Sequence, residues 1–145
     1  MEIPKVGQLV RYSYLWLDEH RRGVEEGLKD RPCLVVIATP SDEGETVFFV
    51  APVTHSQPPP EALAVELPLA TKQRLGLDQE RSWIVTNEVN KFTWPGPDVR
   101  PDAGGEVVIG FVPAKLARRA IENLRSHASR ARFDSVSRAA PDGED

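Results

Sequence analysis

Polar and apolar positions alternate strictly at the start of the chain. From Gln8 to Leu17, Val10, Tyr12, Tyr14 and Trp16 share one face, with Arg11 and Ser13 on the other. That period of two predicts a half-buried strand. Asp18–Asp30 is charged and carries Gly23 and Gly27, which predicts a loop. Arg31-Pro32 then opens the run Cys33–Ala38, apolar at every position. A proline is tolerated at the first position of a strand, and a run without alternation predicts a central strand buried on both faces. Thr39–Glu45, with Pro40, Asp42 and Gly44, predicts a turn, and Thr46–Val53 a third strand.

The pattern then becomes choppier. His55–Pro60 is a polar loop ending in three prolines, and Ala64–Leu67 a candidate short strand. Leu69–Leu75 is a candidate helical turn ended by Gly76. Ser82–Thr86 and Val89–Trp94 are two further strands, a candidate pair joined through Asn87-Glu88. Pro95–Gly105 predicts a loop, and Glu106–Phe111 a last strand. Pro113 opens a helix, where its missing N–H costs little. Leu116, Ala117, Ala120, Ile121 and Leu124 form its apolar stripe, while Arg118, Arg119, Glu122 and Arg125 face away. The apolar pattern stops near Ser129. The expectation is one domain over residues 1–130 and a disordered tail over 131–145, acidic at its end. Several short strands followed by one helix make an α+β domain, mainly β, with a strongly bent sheet or barrel under the helix.

Composition narrows the class. A chain of 145 residues, 40% hydrophobic and 28% charged, suits one globular core. No apolar run approaches the roughly 18 residues that span a bilayer. The N-terminus has no signal-peptide pattern. Cys33 is the only cysteine, so no disulfide can form within the chain, and a cytoplasmic location is expected. The net charge of −4 argues against coating nucleic acid by bulk charge, while leaving room for a small basic site.

Phosphate-binding glycine loops, paired CxxC, HExxH and GxSxG are all missing. His20, His55 and His127 are too scattered for metal-ligand spacing, and Cys33 sits inside an apolar run. Neither a metal nor a cofactor is expected. What stands out is the polar end of the hairpin. If the strands on either side of Thr39–Glu45 pair antiparallel, Arg31 and Thr54 reach the same open end, with His55 and Ser56 adjacent. A guanidinium fork matches two phosphate oxygens and stabilises charge that grows in a phosphorane. A threonine hydroxyl can donate to a further oxygen. Histidine, here His55, is the side-chain type whose unperturbed range suits a general base, and Glu26 or Glu19 would serve if their loop folded over. The plain structural alternative is weightier on pattern alone: Arg31 paired to Asp30 at a strand boundary, Thr54 as a turn former, and His55 as a surface histidine.

Five segments in order resemble the MazF/PemK family of toxin–antitoxin ribonucleases. They are Gly7-Gln8-Leu9-Val10; Arg31-Pro32-Cys33-Leu34-Val35-Val36; Pro52-Val53-Thr54-His55-Ser56; Asn87-Glu88-Val89-Asn90-Lys91-Phe92-Thr93-Trp94; and Gly110-Phe111-Val112-Pro113. The resemblance runs from Val6 to Leu124. It implies a small SH3-like barrel, related to the CcdB gyrase poisons, with a C-terminal helix. It also implies a homodimer and metal-independent cleavage of single-stranded RNA by attack of the 2′-OH. Arg31 and Thr54 fall on the family's catalytic pair. Glu26, Lys29, Ser56, Gln57, Asn87 and Glu88 become expected RNA contacts. Trp16, Trp83 and Trp94 are either stacking platforms for unpaired bases or core residues, the second being expected for at least two of them. The implied partner is a cognate antitoxin laying an acidic segment along the groove, against Asp18–Asp30 and Val53–Pro60. The chain departs from the family's pattern at His55, where a hydroxyl or small residue is common, and in the loops Gln57–Pro60 and Pro95-Gly96-Pro97. The alternative is a binding module on the same barrel without catalysis, or a CcdB-like poison of a partner enzyme.

Overall fold

The computed structural model describes residues 2–18, 30–129 and 134–137. Strands β1 (Gln8–Tyr12), β2 (Arg31–Pro40) and β3 (Thr46–Thr54) lead into a 3-10 turn (Pro60–Ala62), β4 (Val65–Glu66) and helix α1 (Leu69–Arg74). Then come β5 (Trp83–Ile84), β6 (Glu88–Thr93), β7 (Val108–Phe111), helix α2 (Ala114–Ser129) and β8 (Asp134–Ser137). The sheet runs in the order β4-β5-β3-β2-β1-β7, with β6 on β3 and β8 on β6. The six strands of that path form a curled antiparallel half-barrel with the C-terminal helix against it.

The central pair is the predicted hairpin. β2 and β3 are antiparallel with Cys33 opposite Pro52 and Thr39 opposite Val47. The absence of alternation in Cys33–Val36 is explained by a core on each face. Leu34 and Val36 join Leu9, Ala51 and Val53 beneath α2. Cys33 and Val35 join Val10, Tyr12, Phe48 and Phe92 on the other side. That second core is largely aromatic: Tyr12 stacks on Phe92 at 4.9 Å between centroids, and Phe48 lies 5.7 Å from Phe92. The burial ends sooner than predicted. Past the bulge between Val35 and Ile37 the strand carries Ile37 and Ala38 into solvent, toward the hairpin tip.

Helix α2 buries the predicted stripe, with Ala117, Ala120 and Leu124 in the core and Leu116 and Ile121 packed on it. His127, one turn further, is buried and bonds through Nε2 to the Ala62 carbonyl at 2.7 Å. Gly76 ends α1 at φ 72°, a left-handed conformation that suits glycine.

Two expectations need correction. Regular pairing of the first strand stops at Tyr12, not Leu17. The reason is Asn90, whose buried side chain replaces a neighbouring strand: Leu15 N–H donates to its Oδ1 (2.9 Å) and its Nδ2 donates to the Leu15 carbonyl (2.8 Å). Second, β5 and β6 are not a hairpin. Both run antiparallel to β3, β5 along Val53–Thr54 and β6 along Val47–Val50. They therefore follow each other along one edge of a long strand, and the chain does not reverse at Asn87-Glu88. Thr86 fixes the step between them by donating from Oγ1 to the carbonyls of Ala62 and Leu63, each at 3.1 Å. Within residues 131–145, Asp134–Ser137 pairs parallel with β6 from Glu88 to Lys91. The remainder of that stretch lies outside the described residues.

Candidate functional site

Arg31 opens β2, and the register that sets Cys33 opposite Pro52 carries it toward the end of β3. Its guanidinium is held from two sides. Nη1 donates to the Val53 carbonyl at 3.2 Å, and Cζ lies 5.1 Å above the Trp16 ring. Its Nε is buried with no hydrogen-bond partner among the described residues. Asp30, the neighbour expected to neutralise it, is instead paired with Arg100 at 3.4 Å. Among the described residues Arg31 is fixed by a carbonyl and a ring, and not by a carboxylate, which leaves its charge available to an anion.

Thr54 ends β3, half-buried. Its Oγ1 accepts the Ser56 N–H at 3.1 Å, a turn that leaves the hydroxyl proton uncommitted by that bond. His55 follows, exposed, at the rim of a cavity of about 150 Å³ lined by Arg31, Val53, Lys72, Asp78 and Ser82 as well. Its Nε2 lies 3.0 Å from Asp78 Oδ2, and Nδ1 lies 3.8 Å from Glu80 Oε1. Lys72 is 2% exposed, and its ammonium donates to Asp78 Oδ1 and Ser82 Oγ, each at 2.6 Å, and to the Glu80 carbonyl. The bond from Lys72 holds the Asp78 carboxyl below the ordinary aspartate range, against the effect of burial, with a smaller contribution from His55.

The hairpin thus brings Arg31, Thr54, His55 and Ser56 to one end. Gln57 is exposed just beyond. Asn87 and Glu88 sit where β6 begins, and Glu88 serves the segment after β1: its Oε1 accepts from Tyr14 Oη and from the Leu17 N–H, each at 3.0 Å. Burial first, and the Glu88 charge second, push the Tyr14 hydroxyl pKa well above its usual value. Glu19, His20, Glu26 and Lys29 lie outside the described residues. Of the tryptophans, Trp83 is core, while Trp16 and Trp94 are partly buried against the aromatic cluster. Sequence reasoning missed Lys72, Asp78 and Ser82. A lysine on a short helix and an aspartate in an acidic loop read as surface charge, and only the fold, which sets Lys72 against Asp78 and Ser82 beside His55, reveals them as a cluster.

His55, Asp78 and Glu80 also form a cluster with metal-ligand atoms within 4.8 Å of one another, all three residues being exposed. Asp78 Oδ1 there is already bonded to the Lys72 ammonium, whose positive charge opposes a second cation at that carboxylate.

No protein-family model and no curated protein matches the chain. Among solved structures it is similar to a chain of the MazE–MazF complex from Deinococcus radiodurans. The TM-score is 0.53 at 18% identity, covering 88% of this chain and 98% of that one. The curled sheet and the terminal helix agree with that likeness. The chain has a MazF-like fold.

Proposed function

We propose that this protein is a metal-independent endoribonuclease for single-stranded RNA, acting as the toxin of a toxin–antitoxin pair. The observation that carries the reading is Arg31, a guanidinium held by Val53 and Trp16 at the cavity shared with His55, beside the end of β3 at Thr54. The complex whose chain shares this fold pairs MazF with MazE. By analogy the partners here are RNA, a cognate antitoxin and a second copy of the chain.

RNA carries its own nucleophile. His55 takes the proton of the 2′-OH as the O2′–P bond forms. Arg31 faces the negative charge that builds on the non-bridging oxygens, where a preorganised cation lowers the barrier most. Its role is charge stabilisation, since a guanidinium does not give up its proton in this range. Thr54 donates its free hydroxyl proton to a further oxygen. The O5′–P bond breaks, the departing oxygen takes a proton from water, and the products are a 2′,3′-cyclic phosphate and a 5′-OH end.

One observation favours a second reading, a non-catalytic binding module. The Arg31 Nη1 bond goes to the Val53 carbonyl, not to the Thr54 hydroxyl. Cleavage of a mixed-sequence single-stranded RNA in EDTA separates the two. The ribonuclease reading predicts cutting by wild type, with Arg31→Ala and Thr54→Ala each slower by about a hundredfold or more. Intact RNA after incubation with folded wild type would move the binding module to first place.

A further inference from the structure

Behind His55 lies a polar chain that the reaction above leaves unused. The three protons of the Lys72 ammonium meet three acceptors, Asp78 Oδ1, Ser82 Oγ and the Glu80 carbonyl. Asp78 Oδ1 also accepts the Glu80 N–H at 3.1 Å. One carboxylate oxygen is thereby fixed from two sides, and the other, Oδ2, is aimed at His55 Nε2 across 3.0 Å. A carboxylate on one ring nitrogen makes that nitrogen the N–H donor and leaves the lone pair on the other. A buried, fully satisfied lysine is a costly way to hold a surface loop. Holding a carboxylate at a set angle to an imidazole is a use that matches the geometry.

We propose that the Lys72–Asp78 pair is a positioning device for His55: Asp78 fixes the tautomer with the proton on Nε2 and presents Nδ1 as the base that receives the 2′-OH proton. This rests on the ribonuclease reading of the same site. The proton moves from O2′ to Nδ1. The imidazolium formed is stabilised by Asp78, which stays ionised because Lys72 faces its other oxygen, and the ring later returns its proton to water. Asp78 touches no reacting atom and is a positioning residue. The other charges around the ring are Glu80, 3.8 Å from Nδ1 on a side chain 71% exposed, and Arg31 and Asp30 lining the cavity from the start of β2. Solvent screens Glu80, so its effect on the ring is the smaller one.

The test follows His55 directly, by NMR titration of its ring protons in the whole protein, alongside the pH profile of RNA cleavage. Removing the carboxylate makes the imidazolium less stable. Asp78→Asn is therefore expected to lower the His55 midpoint. It should move the acid limb of kcat down with it and reduce kcat about tenfold or more with little change in KM. Asp78→Glu, which keeps the charge, should keep the midpoint and recover part of kcat. Glu80→Gln should shift the midpoint by less than half as much as Asp78→Asn. An active wild type whose His55 midpoint is unmoved by Asp78→Asn, or moved equally by Glu80→Gln, overturns the positioning role alone. A folded wild type that cuts no RNA overturns the ribonuclease reading, and the catalytic purpose of the device with it.

Discussion

Arg31 is held by its backbone neighbourhood and by a ring, and the two supports use different properties of the guanidinium. The bond to the Val53 carbonyl uses its fork, and the approach to Trp16 uses its flat face. Lysine has neither. Arg31→Lys is expected to fold as wild type yet cut RNA about a hundredfold more slowly, a loss in kcat read from single-turnover rates. Near-wild-type rates would show that the site needs only a positive charge. Arg31, Thr54 and His55 were legible because one short hairpin sets their relation, and the turn at Thr39–Glu45 is marked by proline, glycine and aspartate. The contact between Lys72, Asp78 and His55 was not. It depends on where α1 lands after the 3-10 turn and the brief strand β4, which no local periodicity specifies.

Among the elements, the stretch after β1 shows how a side chain can stand in for a strand. Leu15 gives both its backbone groups to Asn90, and Leu17 gives its N–H to Glu88. The apolar alternation through Trp16 announces an extended segment but says nothing of which partner completes it. The same limit explains the misplaced hairpin at Asn87-Glu88. A turn-like pair of residues between two apolar runs is also what a chain needs to step along one edge of β3. Asn90→Leu removes the bonds to Leu15 and leaves a buried N–H and carbonyl without them. It should cost about 2–4 kcal/mol in urea unfolding with an unchanged m-value. A cost below about 1 kcal/mol would mean that water or a shifted backbone replaces the amide. Because Trp16 lies in this segment and under Arg31, the same variant should also slow cleavage.

For the molecule as a whole, a sheet with a core on each face explains why so short a chain supports an exposed polar cavity. The central strands lose little by ending at it. Acid should loosen this arrangement from the surface inward. Asp78 is held below its ordinary range chiefly by Lys72, Asp102 by the backbone N–H of Glu106, and Glu66 by Arg81. A depressed folded pKa gives stability that is present above the unfolded value, about 4 for these groups, and is lost as pH falls through the folded value. The melting temperature is expected to hold above about pH 5 and to fall below about pH 4. The decline should be shallower in Asp102→Asn, and equal slopes in the two proteins would remove Asp102 from the account. No helix among the described residues is long and apolar enough to cross a membrane.

The central claim is that RNA's own hydroxyl is the nucleophile at Arg31, and the chemical ends of the products test it most directly. End-group analysis of RNA cut by wild type in EDTA is predicted to give 2′,3′-cyclic phosphate and 5′-OH termini, with a strand blocked at the scissile 2′-oxygen left whole. Termini bearing a 5′-phosphate and a 3′-OH, or cutting of the blocked strand, would contradict the account.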